Sequence, residues 1–138
     1  MSDANKAIAR RYIEEIWNEG NMATVEELID DEYYHRSSQI PDFEGPARLA
    51  ELVSELRAAF PDGRFSVEET VAEGDTVVQR WTFRGSHEGT WLGIEPTGVD
   101  VEVGGTGTNH FKDGRIVEHL ADWDAMGMLQ QLGGLERQ

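Results

Sequence analysis

The sequence predicts an α+β fold in which helices come first and cover one face of a curved antiparallel sheet. Three observations predict it. Apolar residues recur at helical spacing as far as Phe60, and from Phe65 the apolar period falls to two. The turn signals Pro61-Asp62-Gly63, Gly74-Asp75 and Lys112-Asp113-Gly114 then punctuate the second half. At 138 residues the chain reads as one domain, 1–138, able to bury about two-thirds of its unfolded surface without a staple.

The elements follow in order. "ANKAIARRYIEEIW" (4–17) places Ala4, Ile8, Tyr12 and Ile16 four apart with Ala9, Ile13 and Trp17 beside them, a helix with a broad apolar face. Gly20 suits its C-terminal end, and Asn21 can cap a short second helix whose inward residues are Val25, Leu28 and Ile29. Thr24-x-x-Glu27 is a capping-box pattern there. "EYYHRSSQIPDFEG" (32–45) breaks the helical period. Pro46 at an N1 position opens a third helix carrying Leu49, Leu52, Val53, Leu56 and Phe60. Phe65, Val67 and Glu69 then alternate with polar neighbours, and "TVVQRWTFRGSH" (76–87) continues the β pattern. "LGIEPTG" (92–98) is a loop. Residues 99–111 and 115–123 are two more strands, and "WDAMGMLQQLG" closes with a short helix ending at Gly133. "GGTGTN" (104–109) lies inside a strand pattern, where it reads as a bend or bulge and not as a phosphate cradle.

Composition excludes several classes. Twenty-seven acidic residues against 12 basic ones give −15, a field that repels phosphate backbones and anionic membranes, so neither nucleic acid nor membrane is an expected partner. Scarce lysine beside abundant acid would suit a salt-adapted organism; a solvated acidic surface is the plainer reading. With no cysteine there is no disulfide, thiolate nucleophile or cysteine metal site. No apolar run of about 18 residues and no signal-peptide core appear, so a soluble, cytoplasmic protein is expected.

"EIWNEGN", "YYHRS", "AAFPDGRFSVEETVAEGDTVVQRWTFRGSHEGTWLGIEPTG" and "FKDGRIVEHLADWDAMGMLQQLG", in this order and spacing, resemble the SnoaL-like polyketide cyclase family of the nuclear-transport-factor-2-like superfamily. The resemblance implies a cone-shaped sheet that, with its helices, encloses a mostly apolar pocket for a small molecule, usually in a homodimer. It also implies acid/base catalysis of an intramolecular aldol ring closure without metal or cofactor, by an aspartate at the end of the last strand. Asp124 stands at that position, His110 where a pocket histidine lies on the preceding strand, and His35 where a histidine follows the second helix. Leu120 and Thr108 depart from the residues common in the family.

The last hairpin can be read two ways. A two-residue turn at Asp113-Gly114 puts His110 opposite Val117, on the face of His119 and away from Asp124. A three-residue loop, with Gly114 in a G1 bulge, puts His110 on the face of Glu118, Leu120, Asp122 and Asp124. Lys-Asp-Gly favours the second. Thr106, Thr108, His110, Glu118, Leu120 and Asp124 then line one concavity, and His119 and Trp123 point outward.

The chemistry left by elimination is acid/base catalysis by carboxylate and histidine. Lys6, at the start of a helix, and Lys112, in a turn, make poor Schiff-base nucleophiles. His35, His87, His110 and His119 are scattered without metal-ligand spacing, and no G-x-S-x-G elbow is present. Enolisation needs a base beside a carbonyl, and an apolar pocket raises a carboxylate's pKa toward that task. Tyr12, Trp81, Phe83 and Trp91 are candidates for the apolar wall, His110 for orienting the substrate and Asp124 for the base. Asp124 can equally be the N-cap of the last helix, and Glu118 can be a structural carboxylate paired with Arg80 or a histidine. A silent small-molecule-binding module would use the same pocket. An epoxide-hydrolase-like site would need Arg80, Asn109 and Asp122 to converge on a water.

Overall fold

A computed structural model describes residues 2–37 and 39–133. Helix α1 (Ser2–Arg11) runs directly into a π-helical segment, Tyr12–Asn18, followed by α2 (Met22–Leu28) and strand β1 (Ile29–Ser37). The short β2 (Phe43–Glu44) leads to α3 (Pro46–Ala59). Strands β3 (Arg64–Glu73), β4 (Thr76–Ser86), β5 (Asp100–Lys112) and β6 (Arg115–Trp123) precede α4 (Ala125–Leu132).

The helix signals act as their chemistry dictates. Asn21 Oδ1 accepts from the Thr24 N–H, so Asn21 is the cap of α2, while the Thr24 hydroxyl donates instead to Glu15. Pro46 occupies the first turn of α3, whose buried stripe is Leu49, Leu52, Val53, Leu56 and Ala59. Gly133 (φ +78°) ends α4 in the left-handed region. In the π-helical segment the i→i+5 closure brings Tyr12 and Trp17, five residues apart, onto one face.

The six strands form one mixed sheet in the order β2-β1-β6-β5-β4-β3. The all-antiparallel expectation is corrected at β1, which pairs parallel to β6 and sets His35 beside His119 and Ser37 beside Ala121. This strand arises from the stretch 32–45, where a broken helical period hides Tyr33, His35 and Ser37 alternating toward the interior. The helices pack over the inner face of the sheet. Two apolar clusters result, one around Tyr12, Ile16, Tyr33 and Val53, the other around Phe60, Trp81, Val103 and Met128. Trp17 and Phe65 pack against both.

The last hairpin corrects the expected loop. Lys112 pairs with Arg115, and Asp113 (φ +52°) and Gly114 (φ +77°) form a two-residue turn of the I′ kind. A bulge follows at once: Phe111 opposes Ile116, but His110 opposes Glu118, so Val117 is the extra residue. His110 therefore shares a face with Glu118 and Leu120, as the three-residue loop would have required, by a different route. That face is the outer one. Val101, Val103, Asn109 and Phe111 on β5 are all buried against the helices, and strand alternation turns the even-numbered residues away from them.

"GGTGTN" is no bend: β4 and β5 keep an unbroken register through it. A side chain at Gly105 would run into the Trp81 ring, and one at Gly107 would meet His119 Cε1 at 2.8 Å. The glycines leave room for these two rings to approach the strand backbone closely.

Candidate functional site

Between the two apolar clusters lies a cavity of ≈ 80 Å³. The π-helical segment supplies Tyr12, Ile13 and Trp17, α3 supplies Leu52 and Leu56, and α4 supplies Met128. The inner sheet face supplies His35, Ser37, Phe65, Trp81, Phe83, Val103, His119, Ala121 and Trp123. All four tryptophans of the chain line it, Trp91 from the loop after β4. A wider hollow of ≈ 450 Å³ adjoins it, sharing Ile40, Leu52 and Trp91 and adding Arg48 and Glu55. The inner cavity alone holds the equivalent of roughly half a dozen waters.

Although the protein carries 27 acidic residues, no Asp, Glu, Lys or Arg is among the described residues lining this cavity. Its ionisable side chains are His35, His119 and Tyr12. Burial pushes His35 down to about 4, slightly opposed by Asp42. Burial and the neighbouring His35 hold His119 well below the usual histidine value. Both rings are thus neutral near pH 7. They lie with centroids 5.1 Å apart. His119 Nδ1 is 2.6 Å from Asn109 Oδ1, and Asn109 is fully buried. His35 Nδ1 is 2.8 Å from the Tyr33 hydroxyl, which is 3.1 Å from the Tyr12 hydroxyl. Burial raises Tyr12 to about 12 and Tyr33 well above 10, so both phenols keep their protons. His35 also stacks on Phe43, 4.5 Å between centroids.

The structure divides the residues singled out from the sequence. Tyr12, His35, Trp81 and Trp91 line the cavity. The shared concavity expected for Thr108, His110, Glu118 and Leu120 is corrected, because these residues sit on the outer sheet face. There His110 Nδ1 is 3.2 Å from the Thr76 hydroxyl, and Glu118 lies between His110 (3.8 Å) and Arg36 (3.7 Å). His119, expected outward, is 5% exposed and faces the cavity, as does Trp123. Asp124 is exposed. Its Oδ1 accepts from the Gly127 N–H at 2.8 Å as the N-cap of α4, and it is not among the cavity-lining residues. His87 is fully buried, its Nδ1 bound to the Thr97 N–H and hydroxyl in the loop after β4. Sequence reasoning does not single out Tyr33, and it names Asn109 only for an epoxide-hydrolase-like site, not as the partner of His119. Their signal was parity: each shares its strand face with buried residues, Tyr33 with His35 and Asn109 with Phe111 and Val103.

Among the described residues, no group of three or more His, Asp or Glu is placed to hold a metal ion, and no helix is long and apolar enough to cross a membrane.

The scaffold is α+β, with helices wrapped over one sheet face around an apolar, aromatic cavity of a kind consistent with small-molecule binding. The chain belongs to the SnoaL-like polyketide cyclase family, whose model matches residues 7–132. A SnoaL-like polyketide cyclase homologue from Jannaschia sp. CCS1 superposes with TM-score 0.90 at 22% identity, over 98% of this chain and 95% of that one. TsrD from Streptomyces laurentii gives 0.86 at 25% identity, over 96% and 97%. IdmH from Streptomyces antibioticus gives 0.80 at 28%, over 94% and 98%. No curated protein matches the chain by sequence.

Proposed function

We propose that this protein is a cofactor-free acid/base catalyst that enolises a small, uncharged carbonyl compound in this cavity, as a ring-closing or isomerising step requires. The observation that carries the reading is the pair of neutral histidines in a pocket whose described lining holds no carboxylate. A general base must reach the proton it removes. His119 is the cavity-lining group best placed for this, in the role the sequence expectation gave to Asp124. Its depressed pKa makes it a weaker base than free imidazole but keeps it unprotonated at neutral pH, and the surrounding apolar wall strengthens each polar contact with substrate. Family membership supports an enzymatic role, and the fold by itself does not select the reaction. The cone-like curvature implied by the family would account for the enclosure of the cavity by one sheet. A homodimer is proposed on the same ground.

The test is α-proton exchange of propiophenone in D2O, followed by proton NMR. His119→Ala should slow the enzyme-dependent exchange about 10²-fold or more, and Asp124→Asn should leave it unchanged in folded protein. The reverse pattern would return the base to Asp124. Tight binding of the ketone with no exchange by the wild type would instead favour a silent binding module.

A further inference from the structure

We infer that the two cavity histidines are held in opposite tautomers, His35 presenting an N–H and His119 a lone pair, with Tyr33 and Asn109 as the positioning residues. The inference deepens the acid/base reading above and rests on it for its catalytic meaning, but its geometry stands independently.

The polarity of the first chain follows from counting protons. The Tyr12 hydroxyl lies 3.1 Å from the Tyr33 hydroxyl, and each phenol has one proton to place. Tyr12 is fully buried, and the acceptor its own hydroxyl proton can reach is the Tyr33 oxygen. Tyr33 is also fully buried; with its oxygen accepting from Tyr12, the remaining acceptor at hydrogen-bond distance for its own proton is His35 Nδ1 at 2.8 Å. A neutral imidazole that accepts at Nδ1 carries its proton on Nε2. His35 is therefore a donor at Nε2.

The second chain runs the other way. Asn109 Oδ1 lies 2.6 Å from His119 Nδ1, a separation that suits a carbonyl oxygen accepting from N–H. His119 then carries its proton on Nδ1 and has a free lone pair on Nε2. Gly107 leaves the room: its missing methyl would stand 3.2 Å from that Nε2. Neither Nε2 has a hydrogen-bond partner among the described residues, and both rings line the cavity.

A donor and an acceptor fixed side by side select a ligand. It presents an acceptor oxygen to His35 and an acidic hydrogen to His119. A carbonyl with its own α-hydrogen does this, and so does an enol or phenol hydroxyl next to a carbonyl. In the enolisation, His119 Nε2 takes the α-proton, the C–H electron pair becomes the C=C bond, and the carbonyl π pair moves onto oxygen, where the His35 N–H stabilises it. Return of that proton to carbon from the His119 imidazolium restores both neutral rings.

Long-range ¹⁵N–¹H correlation spectra of the uniformly ¹⁵N-labelled full chain at pH 7 decide the matter without any ligand. The expected result is an Nε2–H pattern for His35 and an Nδ1–H pattern for His119. Tyr33→Phe, which keeps the buried ring, should convert His35 alone to a tautomer mixture, and Asn109→Leu should do so to His119 alone. The same tautomer for both rings, or a Tyr33→Phe protein with an unaltered His35 pattern, overturns the inference. Opposite tautomers in a protein that exchanges no ketone would uphold it and count against the catalytic reading only.

Discussion

His35 and His119 are neighbours because β1 runs parallel to β6: their Cα atoms are register partners, and their rings tilt together with centroids 5.1 Å apart inside the cavity. Two imidazoles this close cannot both ionise cheaply, and the burial that surrounds them disfavours even one charge.

That burial has a thermodynamic consequence. The folded His35 pKa is depressed, about 4 against an ordinary 6.5, so between these values the unfolded chain binds the proton and the folded chain does not. Stability is then complete above pH 6.5 and falls as pH drops through 6.5 toward 4. His35 alone should account for about 3 kcal/mol of that loss, and His119, depressed in the same direction, adds to it. Urea unfolding at pH 7 and pH 4.5 checks this. His35→Gln should be less stable at pH 7 yet show a shallower pH slope than the wild type.

The charge of the ligand is testable apart from its chemistry. A cavity with four tryptophans and no described cationic side chain gives an anion nothing to pair with after it leaves water. Acetophenone should therefore quench tryptophan fluorescence at concentrations at least about tenfold below those needed for benzoate at pH 7, since unpaired charge burial costs more than one decade of affinity. Equal binding of the two would place a cation in the site.

Much of the scaffold was legible because helix and strand periods are local. The stripe of α3, the caps at Asn21 and Gly133 and the β4–β5–β6 meander all follow from spacing within a few residues. The site was less legible because it depends on two non-local facts. One is the parallel partnership of β1 and β6, which joins residues 84 positions apart in the chain. The other is which face of β5 meets the helices. Turn chemistry at 112–114 addressed only relative parity, and the bulge at Val117 let Ile116 and His119 both face inward despite odd spacing. Val101, Val103 and Phe111 carried the missing signal: their apolar parity is that of Asn109, not His110.

Asp124 has a structural task that can be measured on its own. Its Oδ1 caps α4 through the Gly127 N–H, so Asp124→Ala should cost about 1 kcal/mol, as lost N-caps do. Gly127→Ala ordinarily stabilises a helix by about 1 kcal/mol, but here the new Cβ would stand 2.7 Å from Asp124 Cγ. The substitution should therefore be close to neutral in the wild type, where the displaced cap offsets the gain, and stabilise the Asp124→Ala protein by about 1 kcal/mol. A thermal-melt double-mutant cycle reads this difference between the two backgrounds, and simple additivity would show that the cap and the glycine do not interact.

Gly107 is where fold and site meet. A methyl there would meet His119 Cε1 at 2.8 Å and Nε2 at 3.2 Å, so the ring must turn and give up its 2.6 Å bond to Asn109. Overpacking of this kind costs about 1–3 kcal/mol, and the displaced ring should change the His119 imidazole resonances before the protein unfolds. Gly104 is the control on the same strand. Its nearest neighbour to an added methyl is the Trp81 carbonyl oxygen at 4.0 Å, so Gly104→Ala should be neutral or stabilising by up to about 1 kcal/mol, as replacing a strand-interior glycine allows. If both variants melted like the wild type, with the His119 signals unmoved, the ring would not be resting on the bare backbone of Gly107.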